Sequence, residues 1–163
     1  SWTEPPMDTG KPTARALIMV VVTGVLCAVL TACTSSEEQM TPEMVRRTLV
    51  ATVTDTAALI EGPDWAETLT TGAQECVVGA VPGTMYGYAY SAPRPDRDRL
   101  ADVEKVAAYW ESLGMDIRIV PERPAVYGSG GPVQNISFST DPGNYDIGGT
   151  SLCAPGEPAE DAE

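Results

Sequence analysis

The chain predicts an α+β fold, with two helices packed on one face of a mainly antiparallel sheet of about four to five strands. Three observations carry this. Two stretches repeat apolar residues every three to four positions between clear start and stop signals. The other apolar stretches are short or alternate. After Gly114, strand-like segments follow one another with no helical pattern between them.

The first helix begins at Thr41, which can cap, with Pro42 at the first helical position and Glu43 facing the positive helix end. Val45, Leu49, Val53, Ala57 and Ile60 form one stripe, and Gly62-Pro63 stops the helix. Arg46 and Arg47 read as a solvated face. Residues 64–75 show no clear period, and Trp65 reads as packing beneath the helix end. Cys76 to Ala80 reads as a strand and Val81-Pro82-Gly83-Thr84 as a turn. Met85 to Tyr90 alternates, with Tyr86, Tyr88 and Tyr90 on one side, so the two segments can close as a hairpin.

Ser91 to Pro95 connects to a second helix, opened by Pro95-Asp96 with Asp96 as cap. Leu100, Val103, Val106, Ala107, Trp110 and Leu113 form its stripe, and Gly114 ends it. Met115 to Val120 is a strand with Met115, Ile117 and Ile119 inward and Asp116 and Arg118 outward. Pro121-Glu122-Arg123-Pro124 breaks it, and Gly128 to Pro132 reads as a flexible loop. Val133 to Thr140 is a strand with Gln134, Ile136 and Phe138 on one face. Asp141-Pro142-Gly143-Asn144 is a turn, and Tyr145 to Cys153 is a last strand weakened by Gly148-Gly149. No internal repeat is visible.

Ahead of this domain, Lys11 and Arg15 precede an uncharged run from Ala16 to Ala32, with Leu17 to Val22 at its heart. The run ends in Leu30-Thr31-Ala32-Cys33 and is followed by Thr34-Ser35-Ser36-Glu37-Glu38. This arrangement resembles a bacterial lipobox at the end of a signal peptide. The run barely reaches the length that an uncleaved spanning helix needs, and Thr23 and Gly24 weaken it. The resemblance implies cleavage before Cys33 and acylation of its thiol. Two acyl chains hold a protein to a bilayer where one does not. Basic leader charges stay on the cytoplasmic side, so everything after Cys33 is expected outside.

The expected organisation is therefore a signal peptide over 1–32, of which residues 1–6 do not fit a leader and Met7 reads as the start. An acidic tether over 33–40, a single domain over 41–153 and a disordered acidic tail over 154–163 follow. Under the lipobox reading, Cys27 is discarded and Cys33 is acylated. Cys76 and Cys153 then remain as an even pair in an oxidising compartment and are expected to form a disulfide.

The chain has 163 residues, a formal net charge of −13 and no His. The leader is neutral, so the charge falls on the exported part. Nucleic acid is excluded as a partner, and the commonest general base, metal ligand and pH switch is missing. The row Tyr86, Tyr88, Tyr90 is the best ligand-binding candidate, since phenols stack and donate hydrogen bonds. A strand face covered by a helix explains the same row. Asp141, Asn144 and Asp146 lack regular Ca²⁺-loop spacing. Gly128-Ser129-Gly130-Gly131 lacks the Lys-Ser/Thr and helix of a phosphate loop. Lys105 sits beside Glu104 mid-helix, as a solvated residue does. Asn135-Ile136-Ser137 matches a glycosylation acceptor and has no weight in a bacterial lipoprotein. No catalytic residue, metal site or cofactor is expected.

Tyr109-Trp110-Glu111-Ser112-Leu113-Gly114, followed by a strand and later Gly149-Thr150-Ser151-Leu152-Cys153, resembles a pattern of small actinobacterial membrane lipoproteins. The resemblance implies location and architecture: a compact, disulfide-bonded α+β domain lipid-anchored at the outer face of the cell membrane. The expected role is a non-enzymatic envelope module. It is held to the lipid bilayer by acylated Cys33 and binds an envelope protein or a small ligand. A His-free hydrolase using carboxylates and a purely structural envelope role are the alternatives.

Overall fold

The computed structural model describes residues 39–158. The expected signal peptide, Cys33, most of the tether and the end of the acidic tail lie outside them. The described residues form an α+β fold of two helices, a six-stranded sheet and a small three-stranded sheet.

Helix α1 (Pro42–Leu59) starts where the capping chemistry places it, with Thr41 Oγ1 accepting from the Met44 N–H. Its apolar stripe from Val45 to Ile60 is buried throughout. Thr52 and Thr56 are buried beside it, because their hydroxyls donate back to the Thr48 and Thr52 carbonyls and leave no polar group unpaired. Helix α2 (Arg99–Ser112) starts two residues later than the sequence predicts. Asp98, not Asp96, is the cap, because its carboxylate accepts from the Leu100 and Ala101 N–H groups. Gly114 follows the helix end at φ +82°, the left-handed geometry that glycine tolerates.

Strands β1 (Ala66–Thr70), β4 (Gly87–Pro93), β5 (Asp116–Val120), β6 (Ala125–Gly130), β7 (Val133–Ser139) and β8 (Asn144–Ser151) form the large sheet. Their order is β1-β4-β8-β7-β6-β5, antiparallel throughout. β1 arises from the stretch without a period, because every residue in it is exposed and no burial alternation marks it. Gly128 to Gly130 belong to β6, and the expected loop shrinks to a turn at Gly131-Pro132. A bulge between Val133 and Asn135 throws Gln134 out to solvent, so Val133, Ile136 and Phe138 share the inward face.

Strands β2 (Gln74–Val78), β3 (Val81–Met85) and β9 (Ala154–Pro155) form the small sheet. The predicted turn at residues 81–84 is strand β3. The chain reverses at Gly79-Ala80 instead, where Gly79 takes φ +63°. The expected hairpin therefore joins β2 to β3, and the tyrosine segment passes into the other sheet. Cys76 and Cys153 are disulfide-bonded, joining β2 to the segment just before β9.

Both helices cover the same face of the large sheet, α1 over β4, β7 and β8, and α2 over β5, β6 and β7. Glycine sets the approach. A Cβ on Gly149 would meet Leu49 Cδ1 at 3.2 Å, and one on Gly128 would meet the Trp110 ring at 3.1 Å. Gly149 in the last strand is thus the seat of α1. Trp110, Tyr145, Phe138, Leu49, Ile136 and Ile147 fill the core, and Phe138 meets Tyr145 edge-on. Trp110 Nε1 donates to Thr56 Oγ1 at 2.9 Å, a buried bond joining the helices. Among the described residues no helix is long and apolar enough to cross a membrane.

Candidate functional site

The tyrosine row lies on the covered face. Tyr90 and Tyr88 stand opposite Ile147 and Gly149 of β8, the side on which α1 packs. Tyr86 and Tyr88 are buried, and Tyr90 is half-buried against Tyr88, with ring centres 5.5 Å apart. Burial raises the Tyr88 pKa, as do its bonds to Tyr90 and Glu67. The exposed Glu67 carboxyl is held below its usual value by hydrogen bonds from Thr70 and Tyr88. Arg46 does not simply face solvent: its guanidinium lies 5.6 Å from the Tyr86 ring centre. Packing uses most of the surface these rings could offer a ligand.

The opposite sheet face carries no helix. Strand pairing builds it in rows, and its middle row runs Leu69, Ala89, Gly148, Ser137, Tyr127, Arg118. Its centre is kept low by small residues, with a Cβ on Gly148 only 3.3 Å from that of Ala89. A parallel row runs Gly87, Thr150, Asn135, Ser129, Asp116. Where the two rows reach β5 they enclose a depression of about 530 Å³, lined by Asp116, Arg118, Tyr127, Ser129, Asn135 and Ser137. The Arg118 guanidinium stacks 4.3 Å from the Tyr127 ring centre, and this ring is 41% exposed. The site offers one cation, one carboxylate, a phenol, an amide and two hydroxyls on rigid strands. Such a set suits recognition of a polar ligand or protein surface.

Arg118 and Asp116 were legible as outward-facing from alternation alone. Tyr127 and Ser129 join them because residues 126–129, expected in part as a loop, alternate as strand β6.

A second concavity of about 1040 Å³ lies on the small sheet, lined among others by Gln74, Glu75, Val77, Thr84, Tyr86 and Glu157. The other sequence candidates separate. Asp141 is held by Arg94 and Arg99 at 3.1 and 2.7 Å, whereas Asp146 stands in the open face opposite Ser139. Lys105 donates to the Leu59 carbonyl at the end of α1. Among the described residues no group of three or more acidic or Cys side chains is placed to hold a metal. A half-buried polar cluster joins α2 to the sheet: Tyr145 donates to Asp102, which also takes the exposed Arg97 at 2.8 Å. Burial and the Asp102 carboxylate push the Tyr145 pKa up to about 12.

No protein-family model and no curated protein matches the chain. Among solved structures, the chain is similar to a DUF4853 family protein from Actinomyces odontolyticus ATCC 17982. The TM-score is 0.47 and the identity 20%, over 78% of this chain and 73% of that one.

Proposed function

We propose that this chain is an exported lipoprotein, anchored at the outer face of a cell membrane through acylated Cys33, whose domain is a non-enzymatic binding module. The uncovered sheet face carries the reading. A sheet with one face under helices and the other open is common. Here the open face has a low centre of Ala89, Gly148 and Ser137 beside a polar depression topped by an arginine stacked on an exposed tyrosine. The partner is an envelope protein or a small polar ligand. The lipobox-like Leu30-Thr31-Ala32-Cys33 supports the anchor, and the Cys76–Cys153 bridge fits an oxidising compartment.

The test is retention of membrane-extract proteins, and thermal shift with envelope peptides and glycan fragments, for the wild type and for Ser137→Arg. This substitution fills the centre of the open face without touching the core. Capture or shift by the wild type, abolished in Ser137→Arg at unchanged melting temperature, supports the reading. Equal behaviour of both proteins sinks the site. Silence in both assays together with measurable hydrolysis moves the chain to the enzymes.

A further inference from the structure

The small sheet carries the two most exposed of the large apolar side chains among the described residues. Val77 is 67% exposed, Val81 53% and Val78 39%, all at the turn end of the β2–β3 hairpin. From Cys76 to Pro93 no residue bears a charge, in a chain whose formal net charge is −13. An apolar, charge-free tip on an acidic protein is the part least repelled by a lipid surface.

Its position gives the tip an occupant. Helix α1 begins at the end of the large sheet where β4 starts and β8 stops, since Arg46 lies over Tyr86 and Leu49 meets Gly149. The small sheet attaches at this same end. β3 enters β4 through Tyr86 alone, β8 leads to β9 through Leu152-Cys153, and α1 packs against β3 and β9. The described chain therefore begins at the end of the domain that carries the small sheet. The eight residues 33–40 reach at most about 28 Å when fully extended. A lipid held on Cys33 keeps this end of the domain within reach of the bilayer surface.

We infer that the β2–β3 hairpin is a second membrane contact, with Val77, Val78 and Val81 entering the headgroup region of the bilayer that holds Cys33. The inference rests on the anchor proposed above. The disulfide at Cys76 stiffens the hairpin, and the open face of the large sheet belongs to a separate sheet, free to take its partner.

The test uses the full chain, acylated and reconstituted into phosphatidylcholine vesicles with brominated acyl chains. Tryptophan is introduced by Val77→Trp at the tip and, as a control at the exposed edge of β5, by Ile119→Trp. Flotation with the vesicles reports the anchor, and quenching reports the tip. Insertion to the headgroup boundary gives quenching at least about twofold greater for Val77→Trp than for the control. Equal quenching of a protein that floats overturns the hairpin contact and leaves the anchor standing. A blue-shifted but unquenched Val77→Trp places a second copy on the tip and also overturns it. Failure of the acylated chain to float overturns the anchor and the contact together. Circular dichroism of both variants confirms the fold, and Val81→Trp repeats the measurement should Val77→Trp not fold.

Discussion

Removing the disulfide by Cys76→Ala with Cys153→Ala should weaken the domain through the unfolded chain. The two cysteines lie 77 residues apart in sequence. Opening a loop of that length restores chain entropy worth about 4.5 kcal/mol at 25 °C. Measured effects usually fall below this figure, so a loss of about 2–4.5 kcal/mol is expected. In urea, at a slope near 1.5 kcal/mol/M, the midpoint drops by about 1.3–3 M. The loss has a local part as well. Without the bridge, the small sheet is tied down by a two-residue pairing of β3 with β9, by Thr84 Oγ1 donating to the Gly156 carbonyl and by Gly156 N–H donating to Pro82. Hydrogen exchange should therefore show β2 amides losing protection while β7 and β8 keep theirs. A stability loss under about 1 kcal/mol, with β2 protection unchanged, would show that the bridge neither constrains the unfolded chain nor holds the small sheet.

Thr56→Val leaves the fully buried Trp110 Nε1 without its acceptor and should cost about 1–3 kcal/mol in denaturant unfolding, with little change from Thr54→Val on the solvent side. Tyr145 has a folded pKa of about 12 against an ordinary value of 10.0. Its raised value means that the neutral phenol stabilises the fold fully below pH 10, and that this contribution is lost as pH rises from 10 through 12. Thermal melts across that window should fall more steeply for the wild type than for Tyr145→Phe, which has no phenol to ionise.

Both helices were legible because their signals are local: a capping side chain, an apolar stripe and a glycine or proline stop. The miss at Asp96 shows the limit, since Asp96 and Asp98 are equally good caps and only the backbone decides between them. The Cys76–Cys153 bond was legible only through the lipobox reading, which sets Cys27 and Cys33 aside and leaves an even pair. Of the small sheet only β2 was legible, displaced by two residues, because Pro82-Gly83 imitates a turn inside β3 and β9 is only two residues long. Gly148-Gly149 read as weakness when Gly149 is the close approach of α1, a tertiary fact absent from the strand itself. Tyr88 and Tyr90 were read correctly as one face of a strand, whereas Tyr86 is the link between β3 and β4. Which face a helix covers depends on the whole sheet order, so the open face with Arg118 and Tyr127 emerged only once β1 to β8 were assembled.

The proposed anchor rests on Cys33, and the intact mass of the protein extracted from membranes reads it out. The expected mass is that of a chain that begins at Cys33, carries a diacylglyceryl group on that thiol, and lacks two hydrogens for the Cys76–Cys153 bond. A chain that retains Ala16 to Ala32 with an unmodified Cys33 would contradict it.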